Sequence, residues 1–124
     1  MNPTVEVLTR ARALVARGWV QYTGHSIRGV CAAYAIMAVA QDAMLDYANP
    51  VLVFLTAMRQ ETKTHWPDIP GWNDMPGRTQ AEVLAMFDKA IELATPHPAP
   101  PPVHIEVTWE PVFPVIEEKV LVGV

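Results

Sequence analysis

Val30-Cys31-Ala32-Ala33-Tyr34-Ala35-Ile36-Met37-Ala38-Val39-Ala40 has no polar face at helical spacing, and its reading decides the fold. A helix that is apolar on every side is buried all round, so this stretch predicts a central helix from near Val30 to about Tyr47. Its five alanines allow other helices to approach closely. The longest uncharged, mainly apolar run, Gly29 to Gln41, has 13 residues. That is short of the roughly 20 needed to span a bilayer, so we read a core helix and expect no membrane insertion.

Working outward, three more helices are predicted. Asn2-Pro3 is a helix start: Asn as N-cap, and Pro at the first helical position, where its missing N–H is no loss. Val7, Leu8, Ala11, Leu14 and Val15 then mark one helical face, with Arg10, Arg12 and Arg17 off it. Gly18 is placed to take a left-handed C′ conformation, with Trp19 folding back. Asn49-Pro50 repeats the start signal, and Val51, Leu52, Leu55 and Met58 form a stripe for a helix over 50–62. Thr79 and Glu82 match a capping box, and Leu84, Phe87, Ile91 and Ala94 supply the inner face of a helix ending near 94. Between these helices, residues 20–29 read as a loop with a short hairpin around Thr23-Gly24. His65 to Gly77 is too rich in Pro, Gly, Asp and Asn to be regular.

The rest of the chain has a different character. Of 12 prolines in 124 residues, seven fall after Thr95. Pro96 to Pro102 should form a polyproline spacer of roughly 20 Å. Beyond it Val103, Ile105, Val107 and Trp109 alternate with His104, Glu106, Thr108 and Glu110, the period-two pattern of a strand with one buried face. Residues 1–95 carry 8 basic and 9 acidic side chains, whereas 96–124 carry Lys119 against four glutamates. A net charge of −4 argues against nucleic-acid binding. The single cysteine excludes an intramolecular disulfide and points to a reducing compartment, and no stretch has signal-peptide character. The expected location is the cytoplasm.

Three short stretches occur together: Gly18-Trp19-Val20-Gln21, Cys31-Ala32, and Trp72-Asn73-Asp74-Met75-Pro76-Gly77-Arg78-Thr79 with Glu82-Val83 after it. In this combination the chain resembles a family of small uncharacterised proteins of actinobacteria and their phages, over residues 5–94. That family is of unknown function, so the resemblance implies kinship and provenance, with host cytoplasm as the setting, and no activity. The sequence departs from the family at Ala33-Tyr34, where Leu-Gly is usual, so packing beside Tyr34 should differ.

Two kinds of site follow. Pro76-Gly77 suits the centre of a type II turn, which would bring Asp74 and Arg78 within pairing distance. As a binding surface, Trp72 would stack on a ligand or partner, Asn73 and Asp74 would hydrogen-bond, and Arg78 would meet an anion. As structure, Trp72 would plug the core while Asp74 and Arg78 held the loop. Cys31, near a helix start, would be a nucleophile if His25 served as its base and Asp74 oriented the imidazole; on an apolar helix the ordinary reading is a buried, inert small hydrophobe. The four histidines have no metal-ligand spacing, and no phosphate loop or nucleophile elbow is present, so neither metal nor cofactor is expected.

The fold class is therefore mainly α: a four-helix domain (1–95), a Pro-rich linker (96–102) and a C-terminal β-forming arm (103–124). Strands on a spacer cannot bury Ile105, Val107 and Trp109 unaided, so the arm packs on its own domain, on a second copy as a homodimer, or on another protein. The expected function is non-enzymatic protein binding through the Trp72–Arg78 loop, the arm, or both. The alternative is a small cysteine-dependent enzyme or ligand-binding protein with a pocket around Cys31.

Overall fold

The structure, a computed structural model, describes residues 2–96. The elements in chain order are α1 (Pro3–Arg17), β1 (His25–Ser26), β2 (Gly29–Val30), α2 (Ala32–Asp42), α3 (Ala48–Thr62), α4 (Ile69–Asn73) and α5 (Gln80–Ala94). The domain is mainly helical with five helices, one more than the sequence predicts. The expected linker beyond Pro96 and the arm with Ile105, Val107 and Trp109 lie outside the described residues.

Local chemistry explains where the helices start. Asn2 caps α1, its Oδ1 accepting from the Val5 amide at 2.8 Å. Thr79 and Glu82 close the capping box of α5 in both directions, at 3.1 and 3.0 Å. The α3 start differs from the prediction. The helix begins at Ala48 after Tyr47, which gives no side-chain cap, and Asn49 and Pro50 fall inside the first turn. Pro50 is tolerated there because first-turn amides have no intrahelical partner. The extra helix, α4, occupies part of the stretch expected to be irregular. Asp68 caps it through the Gly71 amide at 2.7 Å, with a proline in its first turn.

The core corrects the reading of the opening stretch. The middle position belongs to α1, which packs against both α2 and α5, while α3 packs on α5. Helix α2 buries only Ala32, Ala35, Ile36, Val39 and Ala40 and leaves Tyr34 and Met37 exposed. It also ends at Asp42, well before Tyr47. There Met44 turns left-handed at φ 57°, and the Met44 and Leu45 amides donate back to Gln41 and Ala40 at 3.1 and 2.8 Å. That is a Schellman stop made without glycine. On α3 the buried set is Pro50, Phe54, Ala57 and Met58, with Leu52 facing outward. On α5 the buried face centres on Val83, Phe87 and Ala90, one residue round from the predicted stripe. Phe54 joins the layers, its ring edge-on to Phe87 at 4.7 Å and to Trp72 at 5.9 Å.

The hairpin falls in the expected loop, but its turn is at Ile27-Arg28, with Ser26 paired to Gly29 and His25 to Val30. Gly18 is extended (φ 176°), not left-handed. Its role is close approach: a Cβ there would overlap the Arg28 carbonyl, and one on Gly29 would overlap the Gly18 and Trp19 backbone. The exit of α1 thus lies flush against β2, with Val30 N–H donating to Gly18 O at 3.0 Å and Val20 N–H to Val30 O at 3.2 Å.

Candidate functional site

The three motif stretches meet at one side chain. Asn73, fully buried, accepts at Oδ1 from Trp19 Nε1 (2.8 Å) and from the Ala32 amide (3.1 Å). Its Nδ2 donates to Val20 O (3.1 Å) and to Asp74 Oδ1 (2.9 Å). A carboxamide has two lone pairs and two N–H groups, and all four are used. The Ala32 amide is among those that open α2 without an intrahelical partner, so Asn73 completes that helix start as well. It therefore ties the Gly-Trp segment, the start of α2 and the end of α4 together.

Its neighbours extend the clamp. Asp74 Oδ1 also accepts from the Tyr22 amide at 2.9 Å, holding Tyr22 left-handed at φ 70°. Gln21 Nε2 donates to the carbonyls of Asn73 (3.1 Å) and Met75 (2.9 Å). The Pro76-Gly77 turn forms, with Gly77 at φ 86° and the Arg78 amide donating to Met75 O at 3.0 Å. It does not pair Asp74 with Arg78. Arg78 instead donates from Nε to Trp72 O (3.0 Å), lies 4.2 Å over the Trp72 ring and reaches Glu82 at 3.6 Å. Trp72 is 1% exposed, packed in the core with its Nε1 lacking a hydrogen-bond partner.

Of the three residues of the catalytic alternative, Cys31 and Asp74 line one groove, and His25 forms no relay with them. Cys31 Sγ is the N-cap of α2 and accepts from the Tyr34 amide at 3.3 Å. Burial pushes its thiol above the ordinary value, backbone hydrogen bonds oppose this, and the Asp74 charge adds to it. A nucleophilic cysteine needs the reverse. The His25 ring lies edge-on to Tyr34 with centroids 4.5 Å apart. Among the described residues no hydrogen bond joins His25 to Cys31 or to Asp74. No group of three His, Cys, Asp or Glu side chains there could hold a metal ion.

What this junction presents to solvent is an apolar face that the motif search missed. Ile27 at the hairpin tip is fully exposed, Tyr22 is 70% exposed, and Met37 (46%) and Tyr34 (37%) continue the face along α2. Between Tyr22, Tyr34 and Met37 lies a groove of about 350 Å³, lined also by Cys31, Pro70 and Asp74, among others. A signal was available in the sequence: Ile27 at a turn, and large apolar residues at 34 and 37 on a helix whose other faces are mostly alanine.

A small helical domain with one short hairpin, closed by an asparagine-centred junction, is the class that this geometry defines. A family model described as a family of unknown function (DUF6197) matches residues 1–93, and the chain belongs to that family. No curated protein and no solved structure matches the chain. No helix among the described residues is long and apolar enough to cross a membrane.

Proposed function

We propose that the chain is a non-enzymatic interaction protein, phage-encoded and acting in the cytoplasm of an actinobacterial host, that binds another protein through the hairpin and the outer face of α2. The observation that carries this reading is the exposure of Tyr22, Tyr34 and Met37 around one groove, with a further exposed apolar side chain, Ile27, at the hairpin tip. Scattered exposed apolar side chains are ordinary; a set that shares one groove, held on a braced loop and a helix, is the form of a docking surface. Asp74 sits at the groove edge and makes no ion pair among the described residues. The fitting partner is therefore a polypeptide that inserts an apolar side chain beside a lysine or arginine.

In this reading Trp72, Asn73 and Arg78 act from beneath, fixing the segment that carries the face, and Asp74 and Met75 reach the surface. The raised thiol pKa and the His25–Tyr34 contact support binding over cysteine chemistry at the same groove. The test compares the immobilised full chain with its Tyr34→Ser/Met37→Ser variant in host lysate, after both are shown to melt alike. A protein retained in stoichiometric amount by the parent and lost by the variant supports the reading. Equal retention by both, or no retained protein, contradicts it.

A further inference from the structure

On α3 the residues Pro50, Phe54, Ala57 and Met58 turn inward. Ala48, Leu52, Leu55 and Arg59 therefore run along the opposite side, at steps of four, three and four residues. That is the spacing of a seam between two helices. Leu52, in the middle of it, is 61% exposed. Beside it lies a groove of about 210 Å³, lined by Leu52, Leu55, Thr56 and Arg59 of α3 and walled by Trp66 and Pro67. Its four α3 residues stand at i, i+3, i+4 and i+7, the arrangement of a hole that receives one side chain of a facing helix. We infer that α3 pairs with α3 of a second copy of this chain, antiparallel about a two-fold axis, with Leu52 of each copy seated in the groove of the other.

Register and charge both single out a second copy. When Leu52 of one copy sits over the middle of the other's hole, between positions 55 and 56, the two-fold axis seats the second Leu52 in the second hole at the same time. The same register brings Arg59 level with Ala48 and Asn49 of the other copy. Ala48 leaves room for the long side chain. Asp46 lies two to three residues further along, about 3–5 Å at 1.5 Å per residue, within the reach of a guanidinium. Arg59 and Asp46 are both exposed, and neither makes an ion pair among the described residues. No acidic side chain among the described residues lines the groove, so Arg59 is not neutralised there. The symmetry forms the Arg59–Asp46 pair twice.

The wall of the hole is built before any partner arrives. Lys63 ends α3 left-handed at φ 59°, its amide donating to Arg59 O at 2.9 Å, and this turns the chain back. Trp66 Nε1 then donates to Thr62 Oγ1 at 3.2 Å, and that hydroxyl donates to Met58 O at 2.7 Å. A wall fixed in this way loses little freedom when the hole is filled. One face of a 15-residue helix makes a small interface, so the dimer depends on concentration. None of the residues lining this groove lines the groove beside Tyr34, and either inference can fail without the other.

The test is sedimentation velocity of the full chain across a concentration series from micromolar to near-millimolar. The parent should pass from monomer to dimer, and Leu52→Lys, which places a second cation beside Arg59, should stay monomeric while melting like the parent. Asp46→Arg and Arg59→Asp each set like charges against one another in both contacts and should weaken association roughly tenfold or more. An equimolar mixture of those two variants makes both contacts attractive again and should associate as the parent does. Three results overturn the inference: a parent that is monomeric throughout, a dimer that survives Leu52→Lys, or a mixture no more associated than its two components alone. The second would mean that copies meet through another surface.

Discussion

Replacing Asn73 by alanine removes four hydrogen bonds at 2.8 to 3.1 Å from a site with no access to water. The Ala32 amide, the Trp19 indole N–H and the Val20 carbonyl lose this partner together, while Asp74 keeps the Tyr22 amide. A buried polar group left unpaired costs about 1–3 kcal/mol. Trp19 and Val20 are half-buried and sit at the low end, so the total is about 4 kcal/mol. Against a domain stability of about 5–15 kcal/mol this is a large fraction. With a urea slope of about 2 kcal/mol/M, the unfolding midpoint should fall by about 2 M. Urea titration followed by far-UV circular dichroism and by tryptophan fluorescence measures it. Asn73→Asp provides an isosteric check: its second oxygen faces the Val20 carbonyl and Asp74 and can only accept. Burial favours the protonated carboxyl, so that variant should recover stability as pH falls toward the carboxylate range and lose it again as pH rises. A loss below about 1 kcal/mol in Asn73→Ala would refute the claim that this side chain holds the junction.

Other outcomes follow from the same geometry. Met44 is left-handed and 91% exposed, so Met44→Gly should relieve the backbone at no packing cost and raise stability by about 1 kcal/mol in thermal melts. Gly29→Ala would drive a Cβ into the Gly18 and Trp19 backbone, which cannot yield separately, and should cost about 2 kcal/mol or more, read by the same urea titration. Native Cys31 should react with iodoacetamide far more slowly at neutral pH than the thiol of the urea-unfolded chain. Because folding raises its pKa, its contribution to stability is complete below the ordinary value of 9.0 and is lost as pH rises through the raised one; Cys31→Ser should lack that alkaline decline.

The starts of α1 and α5 are legible in the sequence because a side chain there satisfies backbone amides within one turn. Asn2 and Thr79 with Glu82 do this through local contacts, independent of the rest of the fold. Asp68 does the same for α4, and the density of proline and glycine around it hid the signal. The end of α2 was illegible because a methionine takes the left-handed position that glycine normally marks. Helix α2 reads as central, yet alanine is small enough to lie on a surface at little cost, so an all-apolar wheel did not require burial all round. At the candidate site, Trp72, Asn73, Asp74 and Arg78 stood out as a group, but their partners Trp19, Gln21, Tyr22 and Ala32 lie forty or more residues away. Only the fold shows that Asn73 is the meeting point and that Trp72 is a core residue.

Hydrogen exchange of the full chain with and without a purified partner tests the central claim most directly, since it reads where binding occurs without altering the protein. Slowed exchange across the hairpin and the first turns of α2, residues 22–37, with α3 and α5 unchanged, is the result that this account requires. Slowed exchange confined to the Met75–Arg78 turn or to α5, with residues 22–37 unaltered, would contradict it.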